Sequence, residues 1–366
     1  MGPTGTSRVL QIHPTRQCNL RCLHCYSSSS PQERDQLDVT LLCEAIFDAA
    51  REGYNVVSIS GGEPLLYRDL ATLLRHAKGL NLRTTVTSNG ILLNEKRLNE
   101  LKGLVDVLAI SVDGKPDSHD HIRNTDGAFS RMLARLSAVR ESGIPFGFIF
   151  TLTQYNLDEL DWVAEFARTQ GARLLQVHPL ERAGNAAGEL FNHIPDATES
   201  SYAWLLGQQL QHQFEQAFAV QVDVAFSEHI KANPAAVFVT PDISDQHHLT
   251  LSEQVSPLVI EADAQVVPIH YGFPRAYAIG NLNDAPLRSL LQSWRRSHLP
   301  RFHALCRRLY DDTVALSKPE FFNWYERLAQ YAEHSTCADG SDPAHSLSLE
   351  PQLERSTILR SFGLPR

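Results

Sequence analysis

Three cysteines near the amino terminus form the group best suited to catalysis in this sequence. Cys18, Cys22 and Cys25 follow the spacing C-x-x-x-C-x-x-C, and no fourth cysteine lies close to them in the sequence. A 4Fe–4S cluster normally takes four thiolate ligands, so three cysteines would leave one iron without a protein ligand. An open metal position is how a metal site accepts a substrate or a cofactor. The spacing therefore favours a cluster that takes part in chemistry over one that only relays electrons.

The same cysteines permit a second interpretation, in which they form a structural Cys3His zinc site with His24. His24 directly precedes Cys25, so both side chains would have to turn back to one ion. A closed zinc site also leaves a second motif unexplained, the sequence SGGEP at residues 60–64. The zinc site is therefore kept as an alternative.

Together the two motifs resemble those of the radical S-adenosylmethionine (SAM) enzymes. The resemblance implies one 4Fe–4S cluster whose open iron is chelated by the amino and carboxylate groups of SAM. Reductive cleavage of SAM would then give a 5′-deoxyadenosyl radical that abstracts a hydrogen atom from the substrate. The resemblance implies SAM-binding roles for His24, Gly61, Gly62, Glu63, Ser88, Asn89, Ser111, Arg123 and Val177.

The residue types in the glycine motif, and at Ser88, Asn89 and Ser111, suit these implied roles. Two adjacent glycines, Gly61 and Gly62, let the backbone approach a ligand closely. By resemblance this motif meets the amino group of SAM, with Glu63 as a further acceptor. The side chains expected to contact the ribose and methionine parts of SAM are those of Ser88, Asn89 and Ser111. Ordinary turn chemistry is the alternative for this set, because Asn-Gly is a common turn dipeptide.

Arg123 ends the sequence HDHIR, which resembles the H-D-x-x-R segment of peptide-modifying members of the family. There the arginine pairs with the SAM carboxylate, a role suited to a guanidinium; a surface arginine is the alternative. His24 and Val177 are expected on two sides of the adenine, with core packing as the alternative. Asp113 is interpreted as a turn or cap residue.

Four further side chains are candidates for the substrate cavity, although a structural role is the preferred interpretation for each alone. They are His13, Tyr26, His178 and Tyr271. No general acid or base is assigned, because in such enzymes the cofactor carries the hard chemistry.

The elements that must position these residues are six strand–helix repeats between residue 7 and about residue 180. Short β-branched apolar runs alternate there with helical patterns, which predicts a parallel sheet. With the resemblance, the expected fold is α/β, a partial (β/α)6 TIM-like barrel with a small α+β C-terminal extension. The polar motifs follow five of the predicted strands. Because the carboxyl ends of parallel strands face one side, the motifs are expected at one rim.

Four segments are expected along the chain. They are a radical SAM core at residues 1–184, a connecting region at 185–256 that completes or covers the barrel, an extension at 257–310, and a C-terminal helix with a mobile tail at 311–366. The tail is expected because the last thirty residues or so are rich in Ser, Asp and Pro.

The extension resembles the SPASM or twitch domain of many peptide-modifying radical SAM enzymes, but departs from it in its cysteines. Ile269 stands where that family has a cysteine after a proline. Cys306 and Cys337 alone are too few for a thiolate-ligated auxiliary cluster. We therefore expect a degenerate extension that keeps the scaffold without iron.

Composition narrows the classes of function and the compartment. The chain has 366 residues and a formal net charge of −9, which argues against a nucleic-acid-binding surface. It has no signal peptide and no apolar run long enough to span a bilayer, so no membrane contact is expected. Six cysteines, three of them clustered, do not form a secreted disulfide scaffold and fit a reducing cytoplasm.

The resemblance favours a maturase that modifies a ribosomally synthesised peptide by splicing, crosslinking or epimerisation. Because the first strand begins within ten residues, there is no room for an N-terminal leader-binding domain. A separate small leader-recognition protein is therefore expected, together with a reductant such as flavodoxin or ferredoxin. Two alternatives stay open: a radical SAM enzyme of small-molecule cofactor or antibiotic biosynthesis, and a non-catalytic iron–sulfur or zinc protein.

Overall fold

The structure is a computed structural model that describes residues 7–214, 218–239, 249–316 and 320–338. The tail predicted to be mobile falls largely on residues 339–366, which lie outside the described residues.

Six parallel strands follow one another in the order predicted from the sequence. They are β1 (Val9–Ile12), β2 (Val56–Ile59), β3 (Arg83–Ser88), β4 (Val107–Ser111), β5 (Phe146–Leu152) and β6 (Leu174–Pro179). Each strand pairs in parallel with the next, and β7 (Ala219–Val222) continues in parallel beside β6. This arrangement confirms the α/β class and the partial (β/α)6 barrel.

Helices connect the strands. Those of the barrel are α1 (Val39–Arg51), α2 (Leu70–Gly79), α3 (Glu95–Leu101), α4 (Pro116–Ile122), α5 (Ala128–Leu133), α6 (Leu136–Ser142) and α7 (Leu160–Thr169). Helix α1 begins after Asp38, whose carboxylate accepts the backbone N–H groups of Thr40 and Leu41. Among the described helices, none combines the length and apolar character needed to cross a bilayer.

The second half of the chain adds short elements around the barrel. They are α8 (Ala186–Glu189), α9 (Ala197–Phe214), β8 (Ala225–Phe226), α10 (Ser227–Ala232), α11 (Leu251–Gln254), β9 (Leu258–Ile260), β10 (Gln265–Pro268), β11 (Gly280–Asn281), α12 (Leu287–Ser297), α13 (Leu299–Leu316), β12 (Phe321–Phe322) and α14 (Trp324–Ala338).

The C-terminal extension shares a sheet with the barrel. Strand β9 pairs in parallel with β1, with Leu258 opposite Leu10, and β10 pairs with β9 in the predicted hairpin. The sheet order is therefore β11-β10-β9-β1-β2-β3-β4-β5-β6-β7. The four-segment division stays a prediction, because this sheet runs across the expected boundary between core and extension.

Alternation along the strands separates an apolar face from a polar one. The apolar face is buried in the main core through side chains such as Leu10, Ile12, Val86, Ile110, Phe148, Leu175 and Val177. The alternate positions line a cavity inside the barrel and are mostly polar: Gln11, Ser58, Thr87, Ile149, Thr151, Gln176 and His178. Since successive strand side chains point to opposite faces, the barrel interior is a polar cavity rather than a packed core.

Candidate active site

A cavity of about 410 Å³ lies inside the barrel at the carboxyl ends of the strands, and the three cysteines line it. Each sulfur has an N–H group near it. The backbone N–H of Leu20 is 3.4 Å from Cys18 Sγ, that of Ser29 is 3.3 Å from Cys25 Sγ, and the guanidinium of Arg123 is 3.7 Å from Cys22 Sγ. Hydrogen bonds to the sulfurs are characteristic of iron–sulfur sites, so the donor set fits a cluster.

Burial keeps the thiols of Cys18 and Cys22 protonated when they bind nothing. It raises the pKa of Cys18 to about 12 and that of Cys22 to about 11. Metal ligation requires the thiolate, and a bound cation supplies the positive charge that stabilises it. The site therefore suits cysteines that ionise together with metal binding.

His24 does not complete a zinc site with the cysteines. Its Nε2 lies 3.1 Å from the carboxylate of Asp113, and the histidine lines the cavity beside Cys25. Within the described ranges, no three His, Cys, Asp or Glu side chains are grouped so that they could hold a single metal ion. The three thiols line the open cavity, whereas the His24 imidazole contacts Asp113.

The glycine motif packs directly against the cysteine loop. Gly61 has φ +107°, a conformation that favours glycine, and a Cβ there would lie 2.7 Å from the carbonyl oxygen of Thr15. A Cβ at Gly62 would overlap the carbonyl of Gln17, whose oxygen accepts the N–H of Glu63 at 2.9 Å. Both glycines also line the cavity. They therefore serve the close approach of two backbones as well as any approach to a ligand.

Glu63 lies behind the cavity wall rather than in it. Its carboxylate is fully buried and accepts the hydroxyl of Ser88 at 3.0 Å and the backbone N–H of Asn89 at 3.0 Å. The structure therefore differs from the expectation that Glu63 itself faces SAM. It orients two residues that do line the cavity.

The polar residues expected to contact SAM come together on one wall. Ser88, Asn89 and Ser111 all line the cavity, at the ends of β3 and β4. The Asn89 amide donates to the side chain of Asn19, in the cysteine loop, at 2.9 Å. Asn89 thereby ties the third strand end to the cysteine loop.

Asp113 is the main residue that sequence reasoning missed in this part of the site. Its fully buried carboxylate lies 2.6 Å from Arg123 Nε and 3.1 Å from His24 Nε2, and accepts the N–H of Thr151. The Arg123 guanidinium and the contact with His24 hold the pKa of Asp113 far below its usual range, against the opposing effect of burial. Because Asp113 fixes Arg123 beside Cys22, it is a positioning residue. Its sequence signal was its position two residues after the end of β4.

The structure does not bring Val177 to the cavity wall, and its contact with the adenine stays a prediction. Val177 is fully buried in the apolar core, whereas its neighbours Gln176 and His178 line the cavity. The reason is the two-residue period of the strand, which sends alternate side chains to opposite faces.

Another part of the cavity wall is built from distant parts of the chain. Tyr26, His178 and Tyr271 line it, as considered from the sequence. His13 does not: it is fully buried and packs against the rings of Tyr26 and Tyr271, with centroids 5.6 and 4.7 Å away. Residues not anticipated in this part of the wall are Gln176, Glu181, Asp223, His270 and Tyr325.

The degenerate extension contributes an apolar residue to the cavity. Ile269, at the position where the resemblance places a cysteine, lines the wall with φ +73°. Cys306 is fully buried within α13, away from the cavity wall. Both observations fit an extension that has kept its scaffold.

Comparison with known proteins gives one family match and several similar enzymes. Residues 12–167 match the radical SAM superfamily. The AdoMet-dependent heme synthase of Methanosarcina barkeri is 32% identical over 46% of this chain and 49% of its own length. The PqqA peptide cyclase of Ruegeria pomeroyi is 30% identical over 52% of this chain and 51% of its own. The chain thus spans about half the length of these two relatives.

Two further comparisons extend over more of the chain. The AdoMet-dependent heme synthase of Nitratidesulfovibrio vulgaris is 26% identical over 81% of both chains. The crystal structure of Streptococcus suis SuiB bound to S-adenosylmethionine superposes with a TM-score of 0.63 at 16% identity, covering 82% of this chain and 68% of SuiB. That likeness shows the fold. Residues 12–167, which match the radical SAM superfamily, form a radical SAM domain; that family consists of enzymes and implies a 4Fe–4S cluster and SAM.

Proposed function

We propose that this protein is a radical SAM enzyme that modifies a peptide substrate. The observation that carries the proposal is a single cavity whose wall contains the three cysteines, the two glycines and the polar ends of β3 and β4. When bound there, the cluster and SAM would supply reductive SAM cleavage and the abstraction of a hydrogen atom from the substrate.

The residues of the cavity would divide the work of binding. Cys18, Cys22 and Cys25 hold the cluster. Asn89 and Ser111 contact the ribose and methionine parts of SAM, while His24 packs beside the adenine. Their supporting contacts, described above, keep these side chains in place before any cofactor binds.

Arg123 also places a positive charge in a buried part of the cavity wall. Its pair with Asp113 compensates the cost of burial, and the remaining N–H groups stay available to a sulfur or to the SAM carboxylate. The glycines bring the backbone of the second strand end close to the same place.

Charge in the cavity favours a peptide over a substrate with many carboxylates. Of the described residues that line it, Arg123 is the only arginine or lysine, and Asp113 already pairs with it. Glu181 and Asp223 add negative charge around His178. SuiB has been solved with its precursor peptide SuiA, and PqqA peptide cyclase is named for a peptide substrate.

A second candidate is the modification of a small molecule such as a tetrapyrrole. The observation in its favour is the match to a heme synthase over 81% of both chains. Such a substrate carries carboxylates that would meet Glu181 and Asp223, so we place this candidate second.

The proposal includes two proteins that act with this one. A small leader-recognition protein would present the peptide, and flavodoxin or ferredoxin would supply the electron. The same proposal places the protein in a reducing cytoplasm, where the described cysteines, none of which forms a disulfide, would stay available.

The test is SAM cleavage by protein that has been purified without oxygen and reconstituted with iron and sulfide. With dithionite, the wild type is expected to release 5′-deoxyadenosine, and the triple variant Cys18→Ala, Cys22→Ala, Cys25→Ala is expected to release none. The variant Cys306→Ala is the matched control and should retain release, because Cys306 lies in α13. No release from a fully loaded wild type would contradict the proposal.

Peptide and small-molecule substrates are separated by a second assay. Candidate precursor peptides encoded near this gene, and iron coproporphyrin, would each be added to the active protein. A mass change in a peptide supports the first candidate, and turnover of the porphyrin without a peptide supports the second.

A further inference from the structure

An ion cluster forms the part of the cavity wall that lies at the end of β6. His178, at the end of β6, lies between two carboxylates: its Nδ1 is 3.2 Å from Asp223 and its Nε2 is 3.4 Å from Glu181. All three side chains line the cavity. The cluster joins a barrel strand to the segments that follow β6 and β7.

Amide side chains fix both carboxylates of this cluster. Gln176 and Gln221 donate to the two oxygens of Asp223, at 2.6 and 2.9 Å. Asn323, just before α14, donates to Oε1 of Glu181 at 2.9 Å. Among the described residues, no hydrogen bond reaches the second oxygen, Oε2 of Glu181. Glu181 therefore retains an acceptor for a ligand.

The cluster carries one net negative charge even with His178 protonated. Two carboxylates flank one imidazolium, and His178 lowers the pKa of Glu181 to about 2 although burial opposes this. Glu181 is therefore ionised at every pH at which the protein is assayed.

A second cavity, of about 110 Å³, adjoins the first at Glu181, His270 and Tyr271. Its wall adds the carboxylates of Glu326 and Glu333. Arg182, whose guanidinium lies over the ring of Phe191 at 4.4 Å, also faces it, together with the imidazole of His270. The balance of charge in this wall is negative, and Glu181 stands where the two cavities meet.

We propose that Glu181 is a specificity-determining residue that binds a basic side chain of the substrate, lysine or arginine. The inference rests on the proposed function, because it names the chemistry of the substrate that enters the same cavity. The basic residue would lie in the second cavity or at its junction with the first, with its charge against Glu181. The reacting residue would then lie toward the cysteines.

Three features support a basic side chain as the occupant. Glu181 has an unused acceptor and a permanent charge, and it lies on the boundary of an empty volume rather than in a salt bridge with an arginine or lysine. The ring of Tyr271, in both walls, offers an aromatic face to a cation. His178 neutralises only one of the two carboxylates beside it.

The test uses the full chain, reconstituted with iron and sulfide and saturated with SAM. The probes are fluorescein-labelled heptapeptides of glycine and alanine that carry one central lysine, arginine, glutamine or glutamate. Fluorescence anisotropy is expected to show that the lysine and arginine peptides bind about tenfold more tightly than the glutamine peptide. The glutamate peptide should bind most weakly.

Variants assign the preference to Glu181. Glu181→Gln keeps the acceptor for Asn323 and should abolish the preference for basic peptides, whereas Glu181→Asp should keep part of it. Glu326→Gln should reduce it less, because Oε1 of Glu326 already accepts the N–H of Arg182 at 3.2 Å. Glu141→Gln, an exposed change of the same charge on α6, is the matched control and should alter nothing.

Equal binding of the lysine and glutamine peptides by the wild type would overturn the inference, as would an unchanged preference in Glu181→Gln. If no peptide binds, both the inference and the peptide substrate fail, while 5′-deoxyadenosine release still tests SAM chemistry on its own. Thermal melting of each variant separates a loss of binding from a loss of folding.

Discussion

The part of the cavity wall around the cysteines and the part around His178 are built in different ways. Around the cysteines, the contacts are short, buried and made mostly by residues of the first 125 positions, such as Glu63 with Asn89 and Asp113 with Arg123. In the other part, His178, Asp223 and Asn323 come from three widely separated segments, and 38% of the His178 side chain is exposed. A site for a constant cofactor can be fixed by rigid local motifs, whereas a site for a particular substrate is assembled from the variable remainder of a fold.

The largest effect is expected in the part around the cysteines, in Asp113→Asn. The substitution leaves the guanidinium of Arg123 buried without its counter-charge, so we expect a loss of about 3–5 kcal/mol in the free energy of unfolding. Urea denaturation at pH 7 measures it. Asp106→Asn, which removes a half-exposed pair with Lys78, should cost about 1 kcal/mol or less. Similar costs for the two variants would contradict the contrast between buried and exposed pairs.

A second substitution tests how closely the backbone of the glycine motif approaches the backbone of the cysteine loop. In Gly62→Ala the added methyl group overlaps the carbonyl of Gln17, which leads into the cysteine loop. We expect a loss of about 3 kcal/mol in stability and reduced iron content after reconstitution. Differential scanning fluorimetry and iron analysis measure these.

Gly79→Ala is the control for that substitution. Gly79 ends α2, and nothing lies within 4 Å of the position that a Cβ would take. We expect this variant to be as stable as the wild type or more stable by about 0.5–1 kcal/mol. A destabilised Gly79→Ala would show that the glycines matter for reasons other than close contact.

A third prediction separates the two faces of β6. Val177→Ala removes core packing and should cost about 2 kcal/mol in stability, while the Kd for SAM stays within twofold. Gln176→Ala, one residue away, should change stability by less than about 1 kcal/mol because its side chain lines the cavity. Isothermal titration with SAM and urea denaturation distinguish the two. A weakened SAM affinity in Val177→Ala alone would support the role expected from the sequence.

The smallest effect is expected from the ion cluster around His178. The pKa of His178 lies well above its ordinary value of 6.5, so its contribution to stability is complete below pH 6.5 and is lost as the pH rises through the folded-state pKa. The pKa of Glu181 falls from 4.5 to about 2, so its contribution is complete above pH 4.5 and is lost at lower pH. The cluster should therefore stabilise the fold most between about pH 4.5 and 6.5.

The measurement is the stability of the wild type minus that of His178→Gln across this range. We expect a maximum difference of about 1 kcal/mol, reduced from a buried pair by the exposure of His178. A difference that does not vary with pH would show that His178 is held by packing and not by its charge.

Sequence patterns predicted the part around the cysteines better than the part around His178, for physical reasons. The parallel strands follow from local periodicity, and the motifs that follow them must meet at one rim. The face on which a side chain lies depends on the register within a strand, so the sequence did not show that Val177 faces the core while Gln176 and His178 line the cavity. The role of Asp113 as the counter-ion of Arg123 was not predicted, because an aspartate carboxylate occurs both in turns and in buried ion pairs.

The ion cluster could not have been found from the sequence. No local pattern links His178 with Asp223, or Glu181 with Asn323, because each pair meets through tertiary packing of the second half. The sequence identified tyrosines and histidines of this region as candidates for the cavity wall. It did not identify their partners, because those depend on how the segments after β6 pack against the barrel.

The pairing of β1 with β9 has a consequence for the order of events during synthesis. Strand β1 leads into the cysteine loop, and one of its edges has no partner until residues 258–260 exist. A nascent chain with all three cysteines and most of the barrel therefore still lacks one support of the cluster-bearing loop. Because contacts this distant in sequence form slowly, the cluster-bearing loop should gain its last support only after residues 258–260 have been made, and stable iron loading should follow that step.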